Sequence, residues 1–316
     1  MKCNLNSWFR NTMIFIFSAC FCACNLMPES LADAISGASK PMAQDGNSLF
    51  HQTDVITLKT GELEVTGEVR NPGSVNLDNH YMREVFIKES LFDDNTGINF
   101  IGAYRYRGYS LFDLLHPFNH DKKNADEFRP AIDLYIIIEN AAGETVVFSW
   151  SEIFHTNNPH QIIIAAEAAP IVPYRKEVEY ETGEYWKVVA ANDLFAWRVL
   201  ENPVKITVRS FDKKSYTINR DMDPLYSAEI NVVKNNENIM KIEPVEDKSN
   251  FTRYHSSFYG MGMGYHEAAF FEGPLLKNTI RDNFNFFDKD WNRHGLVCFA
   301  AADGYRAIYS YSELFN

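Results

Sequence analysis

Two stretches of this chain, 136–154 (IIIENAAGETVVFSWSEIF) and 297–315 (VCFAAADGYRAIYSYSELF), align without a gap, and this internal repeat limits the fold more than any other feature. Gly143 falls on Gly304, Ser149 on Ser310, Ser151 on Ser312, Glu152 on Glu313 and Phe154 on Phe315. Each copy runs from an apolar strand through a Gly-containing turn into an amphipathic strand and a Ser-x-Glu helix start. Upstream, Gly273-Pro274-Leu275-Leu276 takes the place of Gly108-Tyr109-Ser110-Leu111. The expectation is a duplicated unit. The first copy continues from Phe154 to Ser210, whereas the second meets Asn316 one residue after Phe315. A second unit without those strands would expose an unpaired sheet edge and apolar surface. A partner would cover that surface, or the chain would be a truncated gene product.

Local patterns fill in the unit. Residues 55–58 and 63–69 read as strands, with a turn at Asn71-Pro72-Gly73. Ser110 is placed to cap a helix begun by Leu111-Phe112-Asp113-Leu114-Leu115. Residues 134–138 and 145–150 form a hairpin around a turn at 140–143, and 151–154 starts a short helix. Further strands fall at 162–165, 186–189 and 203–208. Many short strands with few short helices make an α+β fold. Residues 211–250 join this unit to the next and supply its opening strand.

The first residues read as an export signal. Lys2 and Arg10 are followed by an uncharged run from Met13 to Met27, which is shorter than the ~20 residues of a membrane-spanning helix. Ala32-Asp33-Ala34 offers a cleavage site, and Cys20 and Cys24 offer sites for a lipid anchor. The chain then divides into a leader (1–34), a tether (35–54), a first unit (55–210), and a linker with a shorter second unit (211–316). Four of the five cysteines lie in the leader, so Cys298 stands alone beyond it and no disulfide framework is available. Its apolar neighbours make it a small buried hydrophobe. The net charge of -12 would repel phosphate backbones and excludes nucleic acid as a natural partner.

The segments Tyr106-Arg107-Gly108-Tyr109-Ser110-Leu111-Phe112-Asp113-Leu114-Leu115 and Ala301-Ala302-Asp303-Gly304-Tyr305-Arg306 resemble the molybdopterin-binding domain of the sulfite-oxidase family. That family shows a Gly-led Leu-x-x-Leu-Leu segment, then a strand, an Asp-Gly-Tyr turn and a Ser-x-x-Glu-Leu helix start. Its closing strand, like 204–208 here, follows an Asp and an Arg in the manner of Asp193 and Arg198. The resemblance covers 65–210 and part of 230–316. It implies a mixed-sheet, β-barrel-like α+β domain with short helices, present twice. It also implies that Arg105, Arg107, Arg198 and Arg306 face a pterin phosphate with paired hydrogen bonds, the alternative being salt bridges within an acidic protein. In catalytic members of the family, a cysteine upstream of the Leu-x-x-Leu-Leu helix binds molybdenum. The matching stretches, 86–107 and 255–272, contain no Cys. The resemblance therefore keeps molybdopterin as a candidate ligand and speaks against molybdenum, which needs that soft anionic sulfur.

Other motifs carry less. Gly260-Met261-Gly262-Met263-Gly264 lacks the spacing of a nucleotide-binding loop, though the aromatics and imidazoles around it (254–259, 265–266) could line a pocket. His266-Glu267 opens like a zinc-protease helix, but Phe270 stands where the second His is required. His116 and His120 are separated by Pro117 at a helix end, and His155 and His160 flank a surface turn. The expected function is an exported binding or accessory protein of the periplasm or cell envelope, not a catalyst of oxo-transfer. Its partner would be an anionic small ligand or an envelope protein. The alternatives are a molybdopterin-dependent oxidoreductase of the sulfite-oxidase type with a non-Cys metal ligand, and a structural surface protein.

Overall fold

Runs of alternating apolar residues put most of this chain into strands. The computed structural model describes residues 50–52, 54–173, 179–212, 218, 219, 221, 229–259 and 265–316. Its strands are β1 (Phe50–Gln52), β2 (Ile56–Thr57), β3 (Glu64–Gly67), β4 (Gly73–Ser74), β5 (Met82–Asp93), β6 (Gly97–Ser110), β7 (Leu134–Asn140), β8 (Thr145–Ser149), β9 (Ile162–Pro173), β10 (Lys187–Ala190), β11 (Leu200–Glu201) and β12 (Pro203–Ser210). The later strands are β13 (Ile230–Lys234), β14 (Glu237–Ile242), β15 (Thr252–Tyr259), β16 (Tyr265–Gly273), β17 (Leu296–Ala300) and β18 (Arg306–Ser310). Five short helices punctuate them: α1 (Leu111–Leu115), α2 (Trp150–Phe154), α3 (Leu276–Thr279), α4 (Lys289–His294) and α5 (Tyr311–Phe315).

The α+β class holds. The first half contains two sheets, one ordered β11-β10-β9-β6-β5 with β1 and β2 also on β9, the other β4-β3-β12-β7-β8. Both give their inner faces to one core, in which Tyr104, Ile164 and Val188 of the first sheet join Val65, Ile136 and Ile206 of the second. Each such side chain taken out of water contributes roughly 1.5–3 kcal/mol. Neither sheet closes on itself, so the barrel-like expectation is replaced by two open sheets sharing a core. The reason is that β5, β11, β4 and β8 remain edges instead of pairing with one another.

The expected hairpin is β7–β8, paired from Tyr135 opposite Ser149 to Glu139 opposite Thr145. Its turn is closed by Asn140, whose Oδ1 accepts the amides of Ala142 and Glu144, while Gly143 takes a φ of 83°. Helix α2 starts one residue earlier than the sequence reading placed it. Ser149 is its cap and accepts the Glu152 amide, and the Glu152 side chain returns to the Ser149 amide as a capping box. Ser110 caps α1, as its position suggested. The longest strands that went unread in the sequence are β5 and β6, which form one long hairpin, and the hairpin β15–β16 went unread too.

In the second half, two hairpins again each lead to a short helix, with α4 inserted between α3 and β17. Hairpin β15–β16 leads to α3, and hairpin β17–β18 leads to α5. Gly304 takes a φ of 91°, and Ser310 caps α5 by accepting the Glu313 amide. Ile280, Tyr311 and Phe315 form a small core with Trp291 and Val297 packed on it. One difference stands out. Strand β7 lies between β8 and β12, whereas β17 pairs with β18 alone among the described residues. Likewise β6 lies between β5 and β9, and among the described residues β16 pairs only with β15. Among the described residues, no helix is long and apolar enough to cross a membrane.

Candidate functional site

The four arginines singled out in the sequence do not converge. Arg198 follows the short turn after β10 and is sealed from solvent at the seam between the halves. Its guanidinium lies over the Phe148 ring at 4.2 Å and donates to both oxygens of Glu152 at 3.0 Å. It also donates to Asp193 at 2.6 and 2.8 Å and to the Ser310 hydroxyl at 3.1 Å. From the other side, the Ser149 hydroxyl donates to Glu313 at 2.8 Å. The caps of α2 and α5 are thus cross-linked, each serine reaching the charged group of the opposite half.

Arg306, on β18, is equally buried. Its Nε donates to Asp133 at 3.0 Å and its Nη1 to Glu127 at 2.6 Å. Asp133 also pairs with Lys122 at 2.5 Å, so the second half is tied to the first by a buried cation-carboxylate chain. Arg105 and Arg107 instead lie two residues apart on β6, both partly exposed. Arg107 donates to Glu167 at 2.8 Å and Arg105 approaches Glu84 at 3.7 Å. What sequence reasoning missed here were the carboxylates Glu152, Asp133 and Glu127. The Ser149-x-x-Glu152 spacing was a visible signal for one of them.

Three carboxylates, those of Glu152, Asp193 and Glu313, surround the single Arg198 charge. Burial is the main reason the Glu152 carboxyl is pushed up to about 7; Arg198 opposes the shift, and Glu313 and Asp193 add to it. Burial raises Glu313 as well. A carboxyl raised in the folded chain holds a proton there that it releases on unfolding. The stability contributed by the Glu152 carboxyl is therefore full below the unfolded value of 4.5 and is lost as pH rises through about 7. Glu152→Gln is expected to flatten the fall in urea midpoint between those pH values. An unchanged slope would contradict the assignment.

The other candidate residues are scattered. His116 packs beside Phe112 and His120 beside Trp150, with no shared position for a metal. His155 meets Ser151 at 3.2 Å, and His160 meets Ser110 at 3.1 Å. Among the described residues, no three His, Cys, Asp or Glu side chains are grouped to hold a metal ion. Cys298 sits on β17, half-buried and not sealed as its neighbours suggested, and burial pushes its thiol up to about 11. Gly260–Gly264 and the side chain of His266 lie outside the described residues.

A large concavity lies elsewhere. An open cleft of about 1690 Å³ runs along β17 in the second half, with Ile230, Ile242, Ile280, Trp291 and Phe299 among its apolar walls. None of the four arginines lines it. No protein-family description, curated protein or solved structure matches this chain.

Proposed function

We propose that this is an exported binding or accessory protein, built from two related units of the sulfite-oxidase molybdopterin-binding type, that does not itself perform oxo-transfer. The observation that carries this reading is the state of the arginines. Each of the four faces a carboxylate of this chain, and Arg198 and Arg306 are sealed inside ion pairs. A pterin phosphate would have to displace Asp or Glu from a buried guanidinium, leaving those carboxylates unpaired. The stretches in which the family carries its metal-binding thiolate lie in the hairpins β5–β6 and β15–β16 and contain no Cys. The residues present therefore do not fit a molybdenum-pterin group.

The idea of two related units is supported by the order hairpin, short helix, hairpin, short helix, which the second half shares with α4 inserted before its second hairpin, and by the matching left-handed glycines and serine caps. Export rests on the character of 1–34, and either cleavage or a lipid anchor at Cys20 or Cys24 would place the protein outside the cytoplasm. The test is the molybdenum and pterin content of the protein purified from its native envelope fraction. Neither is expected above trace. Both at one per chain would overturn the reading in favour of an oxidoreductase with a non-Cys metal ligand.

A further inference from the structure

The geometry points to a proton-operated latch at the seam: a proton held between the Glu152 and Glu313 carboxyls keeps α5 docked on the first half, and its loss lets the halves part there while each stays folded.

The two buried polar clusters at this seam differ in charge. Around Arg306, two cations (Lys122 and Arg306) meet two carboxylates (Asp133 and Glu127) among the described residues. Around Arg198, one guanidinium faces three carboxyls. Arg198 divides its donors between Glu152 and Asp193. The third carboxyl, Glu313, accepts the Ser149 hydroxyl at 2.8 Å, and no Lys, Arg or His among the described residues forms an ion pair with it. Glu152 accepts the amide of the same serine at 2.7 Å, so the two glutamates share Ser149 between them. With all three carboxyls ionised, this centre would hold two surplus negative charges away from water. Like charges repel strongly there, and one bound proton removes half of the surplus.

The surrounding groups set the direction of the switch. Burial raises the Glu152 carboxyl most, Arg198 opposes it, and Glu313 and Asp193 add to it, so the latch is closed at low pH and released as pH rises through about 7. Tyr309 of β18 feels the Glu313 charge. From α4, Arg293 donates to the Trp197 carbonyl and His294 meets the Thr145 carbonyl. From β5, exposed Lys88 shares with Asp193 and Arg198 the wall of a cavity of about 10 Å³, the size of one water, which gives the proton a route to solvent. Release leaves each half intact. Arg198 keeps Glu152 and Asp193, while Tyr311 and Phe315 of α5 stay in the small core of the second half. The contacts given up are Ser149 with Glu313, Arg198 with Ser310, and the two bonds between Asn316 and the Phe195 backbone.

The Phe195 amide is the reporter, because it donates across the seam to Asn316 Oδ1 at 2.8 Å. Its hydrogen exchange is followed by NMR in the full chain and corrected for the intrinsic pH dependence of exchange. Protection is expected to fall roughly tenfold or more between about pH 5 and about pH 7.5, and to stay below that of the β7–β8 amides throughout. Glu313→Gln keeps an oxygen for the Ser149 hydroxyl but removes one charge, so its fall should shrink below about threefold. If that variant does not fold, Glu152→Gln, which removes the partner charge, is read in the same way. Protection that stays flat with pH in the parent would overturn the latch. So would Phe195 protection equal to that of the β7–β8 amides at every pH, because opening would then be global unfolding. An undiminished fall in the folded variant would overturn it as well.

Discussion

Replacing Arg198 with alanine is expected to cost about 3–5 kcal/mol of folding stability, or to prevent folding outright. The size follows from what is left behind. Glu152, Asp193 and Glu313 would remain buried around an empty centre, and the Ser310 hydroxyl would lose its donor. A lone desolvated carboxylate is far costlier than a missing surface pair. Arg198→Lys should recover only part of the loss, because an ammonium cannot make the forked contacts that the guanidinium makes with Glu152 and Asp193 together. Arg107→Ala is the matched control. Its ion pair with Glu167 is half exposed, and its loss should stay within about 0.5 kcal/mol. Urea unfolding followed by tryptophan fluorescence reads all three. A cost below about 1 kcal/mol for Arg198→Ala would show that the seam is not held by this cluster.

Gly108→Ala and Gly273→Ala, aligned positions in the two halves, are expected to behave oppositely. A Cβ at Gly108 would lie 2.1 Å from the Ile164 carbonyl oxygen and 2.5 Å from the Ala165 Cα. Both are backbone atoms of β9, so β6 and β9 would have to part where their register already shifts between Arg107 and Gly108. The expected cost is about 2–3 kcal/mol. A Cβ at Gly273 meets nothing within 4 Å, because among the described residues no strand lies on that side of β16. There the change should stay within about 0.5 kcal/mol. Equal effects at the two glycines would mean that the edge of β16 is covered as β6 is. The comparison also explains the Gly-led motif in physical terms, since Gly108 is needed for a close strand approach and Gly273 meets no such need in the described structure.

Features set by neighbours in the chain were legible. The hairpin β7–β8 announced itself through alternation and an Asn-to-Gly turn, and Ser110 and the aligned glycines at 143 and 304 fell where backbone geometry required them. The start of α2 was misplaced by one residue because Ser149 also ends a strand, and only its exchange of hydrogen bonds with Glu152 marks it as the cap. The fate of the arginines was not legible. Arg198 finds Glu152 46 residues away and Ser310 112 residues away, and Arg306 finds Asp133 173 residues away. No local pattern reports pairings made by the packing of one half on the other. That β17 has no second strand partner among the described residues was foreshadowed by the uneven repeat, but the depth of the cleft beside it depends on where β13, α3 and α4 come to rest.

In α2 the capping glutamate turns back to its own serine, but Glu313 of α5 reaches across to Ser149 instead. Arg306 and Arg293 cross the same boundary, to Asp133 and to the Trp197 carbonyl. The last twenty or so residues are therefore less an appendage than a keystone of the first half, which cannot complete its own buried polar groups without them. Cooperativity of unfolding is built into this exchange, because neither half can melt without stripping partners from the other.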